Sequence, residues 1–279
     1  MILKQFRLQI SNWVTNKTFV LIFLSAILSM SSVAQSNTVD SLSFQNLSLE
    51  LLNNYANIGS ATGFIIEKNN VDYLITNLHV VTGLDYFSHA IIDPQQQIPN
   101  NIAIWHNAQT LGHWSKSIET LYDRNKNKRW IECEVAGKTV DIIALPLQNL
   151  PKGAKLYPVH LKGFNDSITV MPGFSASIIG SPYGQSSDGK LAIWKTGHIA
   201  SDLDIDANGL PLFLIDATTR PGMSGSMVVL RMIPFLTRQG ISMGLGTRFL
   251  GVYTAQGNQD ELGYVIKPIA LKALIDKLP

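Results

Sequence analysis

The sequence predicts an all-β fold of antiparallel strands, a barrel or a sandwich, on three observations. Short runs of β-branched and aromatic residues recur along the chain, Gly, Pro and Asn punctuate them, and helical periodicity is confined to the C-terminal end. Residues 35–50 are polar and rich in Ser and Asn, and read as an extension ahead of the fold, with a helical turn at 49–54 leading into it. Runs 61–67 and 71–76 flank Lys68-Asn69-Asn70, a tight-turn signal, and form a hairpin. Further strands are expected at 102–106, 130–135, 139–146, 167–179, 191–199, 212–217, 226–230, 248–254 and 262–266. Residues 151–164 contain Pro and Gly without alternation and read as a connection. Pro268 opens one amphipathic helix, with apolar residues at 271, 274, 275 and 278 on one face.

With 279 residues, 46% of them hydrophobic, the chain has ample material for a core in one compact unit. The first 34 residues stand apart. Lys4, Arg7 and Lys17 precede an apolar run from Phe19 to Met30, and Ser31-Ser32-Val33-Ala34 offers a small-residue cleavage site. That run has 12 residues, whereas crossing a hydrocarbon core takes about 20. A cleaved secretory signal peptide is therefore expected, with an uncleaved N-terminal membrane anchor as the alternative, and an exported protein, periplasmic or extracellular. Three of the 22 Lys and Arg and none of the 20 Asp and Glu lie in that leader, so the rest of the chain carries 19 minus 20, or −1. A near-neutral chain gives no electrostatic case for nucleic acid as a partner.

Cys133 is the only cysteine, so no intrachain disulfide can form. Its neighbours Glu132 and Glu134 disfavour a thiolate, and it reads as a buried bystander. No His or Cys pair has metal-ligand spacing, so neither a metal nor another cofactor is expected. The basic stretch 123–129 reads as a solvated hairpin tip. Gly180-Ser181-Pro182-Tyr183-Gly184 lacks the Gly-Lys-Ser/Thr ending of a phosphate loop and reads as a barrel loop.

The residues that carry chemistry are few. Arg220-Pro221-Gly222-Met223-Ser224-Gly225-Ser226 sets one serine between glycines, which leaves little bulk around the hydroxyl and lets backbone N–H groups face a developing oxyanion. A serine hydroxyl needs a base and a group to orient that base. His79, just after the strand-like Tyr73-Leu74-Ile75-Thr76-Asn77, and Asp141, at the head of Ile142-Ile143-Ala144-Leu145, are the candidates. His89, His106, His113, His160 and His198 lack such a context.

The order His, Asp, Ser, with intervals of 62 and 83 residues, together with the hairpin at 62–77 and the strand Gly251-Val252-Tyr253-Thr254-Ala255-Gln256, resembles the chymotrypsin-like (trypsin-like) serine proteases. The likeness is nearest to the bacterial secreted, Deg/Htr-type branch and covers about 55–279. It implies two antiparallel six-stranded β-barrels, about 55–150 and 165–266, and a C-terminal helix at about 268–278. The chain ends there, so no PDZ module is expected. It further implies catalytic His79, Asp141 and Ser224 and an oxyanion hole made by the N–H groups of Gly222 and Ser224. Asp166, Asp202, Asp204 and Asp216 follow the inter-barrel segment, where the resemblance expects no catalytic Asp. Thr218 would lie at the floor of the specificity pocket, with Thr254 and Gln256 near its walls, the alternative being that all three are plain cleft scaffolding. A neutral floor disfavours cleavage after Lys or Arg. Met223 stands where many relatives carry an Asp that pairs with a released N-terminus, so activation by that ion pair is not expected. The function expected is an exported serine endopeptidase acting on polypeptides. A latent pseudoprotease serving as a binding or chaperone-like module, or an esterase on the same residues, are the alternatives.

Overall fold

The computed structural model of the protein describes residues 39–187, 189–256 and 262–279, and only the backbone of Gln256. The leader at 1–34 thus lies outside the described residues. Helix α1 (Ser41–Gln45) is capped by the Asp40 carboxylate, which accepts the Leu42 N–H at 3.0 Å. It runs straight into β1 (Asn46–Asn53). The segment that reads as a helical turn at 49–54 is therefore mostly strand. Leu47 and Leu49 alternate into a buried core, and β1 is paired on both edges, so sheet context overrides local preference.

The strands that follow are β2 (Ala56–Lys68), β3 (Val71–Thr76), β4 (Asn101–Ala108), β5 (Trp114–Thr120), β6 (Ile131–Val135), β7 (Lys138–Pro146) and β8 (Ala154–Lys155), with helix α2 (Leu78–Thr82) after β3. They form one sheet in the order β5-β4-β1-β2-β3-β7-β6, with β8 on β4. The first half is thus an eight-stranded antiparallel sheet where six strands are expected. Its edges, β5 and β6, are consecutive in the chain. The segment between them folds back on itself, Arg129 N–H, ahead of β6, donating to the Leu121 carbonyl, just after β5, at 3.0 Å.

The second half comprises β9 (Ser175–Gly180), β10 (Ile193–Ile199), β11 (Leu212–Asp216), β12 (Met227–Met232), the hairpin β13 (Phe235–Thr237) and β14 (Gly240–Ser242), β15 (Gly246–Gln256) and β16 (Leu262–Ile266). Six of these strands close a barrel in the order β10-β11-β16-β15-β12-β9. The expected strand at 167–179 starts only at Ser175. Ahead of it the Asn165 side chain accepts the Ser167 N–H at 3.0 Å and its hydroxyl at 2.6 Å, a turn after which the chain makes only an isolated bridge, Ile168 to Thr237, before β9.

Several strands are apolar on both faces, and the packing explains why. In β7, Ile143 and Leu145 face the core of the first sheet, while Val140, Ile142 and Ala144 face a cluster between the two halves. In β12, Val228 and Leu230 fill the second barrel, while Met227 and Val229 enter that same central cluster. Period-two alternation therefore serves two cores at once. Helix α3 (Pro268–Lys277) buries Ala270, Leu271 and Leu274 against the central cluster. Burying each leucine contributes roughly 1.5–3 kcal/mol, enough to hold a helix too short to persist alone. Cys133 is buried there too, donating to the Ala270 carbonyl at 3.2 Å, and burial pushes its thiol pKa up.

Candidate active site

His79, Asp141 and Ser224 come together where the first sheet meets the second barrel. His79 is the second residue of α2, a single helical turn anchored by buried Val80 and Val81 and closed by Gly83 in the left-handed region. Asp141 lies within β7, fully buried, on the strand face that carries Ile143. Ser224 sits in the loop between β11 and β12. That loop turns through Gly222 and Gly225 at φ +96° and +85°, a region that strains any residue with a Cβ. At Gly225 an added Cβ would also collide with the Thr62 carbonyl oxygen.

The hydrogen bonds are continuous. Asp141 Oδ2 accepts from His79 Nδ1 at 2.7 Å, and His79 Nε2 lies 2.9 Å from Ser224 Oγ. The Asp141 carboxylate gains two further donors, the His79 backbone N–H on Oδ1 at 2.9 Å and the Thr254 hydroxyl on Oδ2. Three donors offset the desolvation of a fully buried carboxylate. The ring is thereby held with its Nδ1 proton on Asp141 and Nε2 free to accept from Ser224. Burial pulls the His79 pKa down, but the adjacent Asp141 carboxylate and its hydrogen bond outweigh this, leaving the pKa above its ordinary value.

Backbone donors lie beside the serine. Among the described residues neither the Gly222 nor the Ser224 N–H donates to a protein acceptor. The loop is instead pinned through its other groups. The Thr62 N–H donates to the Ser224 carbonyl at 2.8 Å and the Thr62 hydroxyl to the Gly222 carbonyl at 2.8 Å. Tyr183 N–H donates to the Pro221 carbonyl at 2.6 Å, so the 180–184 loop buttresses the same turn. Met223 is fully buried in the second core and anchors the loop as an apolar plug.

The expected specificity residues fare differently. Thr254 does not face a pocket. It is fully buried, its hydroxyl bonded to Asp141 and its carbonyl 3.1 Å from Ser224 Oγ, so β15 contacts two of the three site residues. Thr218 is exposed, whereas its neighbour Thr219 is buried with its hydroxyl 2.6 Å from the Tyr253 hydroxyl. The Gln256 side chain lies outside the described residues. Thr62 and Asn77, whose side-chain amide donates to the Asp141 carbonyl at 2.7 Å, are positioning residues that sequence reasoning missed. Their signal is a lone polar residue at the end of, or within, an apolar run, which is costly unless it is bonded.

A cavity of about 300 Å³ opens beside His79, Ser224 and Gly222, walled by Leu51, Ile58, Val80 and Pro99. A larger one of about 510 Å³ lies on the second barrel between 166–170 and Asp202–Asp204 and touches none of these residues. Among the described residues no group of His, Cys, Asp and Glu side chains is arranged to hold a metal ion.

The family model of the trypsin-like peptidase domain matches residues 61–232, more than half of the chain. The chain belongs to the trypsin-like peptidase family, the chymotrypsin-like serine proteases. No curated protein matches it in sequence. Among solved structures, this serine-protease fold is distantly similar to Rv3671c from M. tuberculosis H37Rv in an inactive form, at 17% identity over 88% of this chain and 92% of that one, TM-score 0.44. It is also similar to the serine endoprotease from Yersinia pestis, at 15% identity over 86% and 68%, TM-score 0.47. The catalytically active tobacco etch virus protease in complex with product is a third, at 14% over 83% and 77%, TM-score 0.43. The family assignment rests on the sequence match, not on these distant likenesses.

Proposed function

We propose that this member of the family is an exported serine endopeptidase in which Ser224 is the nucleophile, His79 the base and Asp141 the group that orients it. The observation that carries the reading is the unbroken series of hydrogen bonds from Asp141 through His79 to Ser224, next to two backbone N–H groups that have no protein acceptor among the described residues. Ser224 Oγ attacks the peptide carbonyl carbon as its proton passes to His79 Nε2, and the carbonyl oxygen takes the negative charge. The Gly222 and Ser224 N–H groups donate to that oxygen. Asp141 stabilises the imidazolium, which then protonates the departing amine as the C–N bond breaks. Water, deprotonated by His79, attacks the resulting ester, releases the acid and returns Ser224 to its starting state.

Export is supported by the basic residues, 12-residue apolar run and small-residue site of the leader. Intact-mass analysis of the exported protein tests it: loss of residues 1–34 is expected, and the full mass would favour an anchor. The catalytic reading is tested by labelling with a fluorophosphonate probe, which reacts only with an activated serine. Wild type should label, and Ser224→Ala and His79→Ala should not. A folded wild type that resists the probe would overturn the assignment in favour of a latent pseudoprotease.

A further inference from the structure

The cavity beside the catalytic residues lies on one side of Ser224 only. β15, the strand that resembles the family's substrate-binding strand, contributes none of its lining. It is lined instead by the β1–β2 hairpin at Leu51 and Ile58, by His79 and Val80 of α2, by the 92–99 segment, and by Pro221 and Gly222. In the acyl-transfer step the departing amine takes its proton from His79 Nε2, so it leaves on the side of Ser224 where His79 stands. A side chain on that amine therefore points toward the His79 side, where the cavity opens.

The chemistry of its walls is one-sided. Leu51, Ile58, Val80 and Pro99 are apolar, and Val80 and Pro99 are buried. The one carboxylate on the lining, Asp93, is fixed by accepting the Gln97 N–H at 2.9 Å. An acidic side chain would meet both an apolar wall and that negative charge. We propose that the cavity receives the side chain of the residue immediately following the scissile bond, and that it selects large apolar residues there and rejects acidic ones. The proposal rests on the endopeptidase reading above.

Acyl-enzyme partitioning tests it directly, because an added amino-acid amide enters from the leaving-group side. The enzyme is acylated with the fastest of a panel of N-acyl amino-acid p-nitrophenyl esters, and capture by leucinamide, phenylalaninamide, glycinamide and aspartic acid amide is compared. Leucinamide and phenylalaninamide should capture the acyl group roughly 10- to 100-fold more efficiently than glycinamide, with aspartic acid amide weakest. Ile58→Asp, at a half-buried strand position, should reduce that preference to about threefold or less, and Ile92→Ala, on the exposed loop, should weaken it. Equal capture of all four amides by an enzyme that does form the acyl ester overturns the proposal alone. So does an undiminished preference in Ile58→Asp. If no acyl-enzyme forms and Ser224 resists the fluorophosphonate, the endopeptidase reading has failed and the proposal falls with it.

Discussion

The hydroxyl of Thr62 donates to the carbonyl of Gly222 at 2.8 Å, joining the first sheet to the turn that carries Ser224. The same oxygen accepts the Ser181 N–H at 3.0 Å, so one side chain fixes two segments of the second half. Thr62→Val keeps the volume but leaves a buried carbonyl and a buried N–H without their partner, at a cost of about 1–3 kcal/mol. We expect kcat to fall roughly 10- to 100-fold, with KM little changed, because the disturbed turn carries the N–H groups proposed to receive the oxyanion. Thr62→Ser should recover most of the rate. An unchanged kcat in Thr62→Val, with only the melting temperature lowered, would reduce Thr62 to a purely structural role.

With His79 as the proposed base, its raised pKa should set the acid limb of activity. The base works only when neutral, so kcat/KM should decline as pH falls through a value above the 6.5 of an ordinary histidine. The linked effect on stability has the opposite sense. A folded-state pKa above the unfolded one stabilises the fold fully below about 6.5 and ceases to do so as pH rises through the folded value. Urea unfolding of Ser224→Ala between pH 5 and 9, beside Ser224→Ala/His79→Gln, isolates this contribution. An acid limb below 6.5 would contradict the pKa direction.

His106 is predicted to make the fold acid-sensitive. It is fully buried, its Nε2 lies 2.8 Å from Ser117 Oγ, and burial lowers its pKa to about 4. The unfolded chain binds the proton more readily, so stability should be lost as pH falls from about 6.5 toward 4. The loss approaches about 3 kcal/mol if this group acts alone. His106→Gln should flatten the slope of unfolding free energy against pH in that window. A slope identical to wild type would assign the acid sensitivity to other groups.

What the sequence disclosed and what it withheld follow from the range of the interactions. The second barrel and C-terminal helix were legible because β-branched runs and Pro268 are local signals. β1 was misread because Leu49-Glu50-Leu51-Leu52 suits either state, and although one partner, β2, follows at once, the other, β4, begins at position 101, beyond any local window. β5 was missed because Trp114-Ser115-Lys116-Ser117 shows no apolar alternation, its Ser117 and Glu119 being buried as polar groups. His79, Asp141 and Ser224 stood out because their motifs mark chain-local geometry. Thr254, read as a pocket wall, meets Asp141 across 113 residues, a contact no linear pattern records.

Glu119 shows how much the first sheet depends on one buried charge. Its side chain is wholly inaccessible, with the Arg129 guanidinium at 3.0 Å and the Gln148 and Asn149 N–H groups both donating to Oε1 at 2.7 Å. Arg129 also reaches the Pro146 carbonyl at 3.1 Å at the end of β7. The pair therefore helps to link β5 to the far edge of the sheet, where no strand ladder does so. Removing one partner of a buried pair leaves the other uncompensated, and Glu119→Ala should destabilise the protein by about 3–5 kcal/mol in urea unfolding. Replacing both, as Glu119→Met/Arg129→Met, should cost clearly less than the sum of the single changes, because neither charge is then left buried alone. Strict additivity would mean that Glu119 is held by the two backbone N–H groups and that Arg129 is incidental.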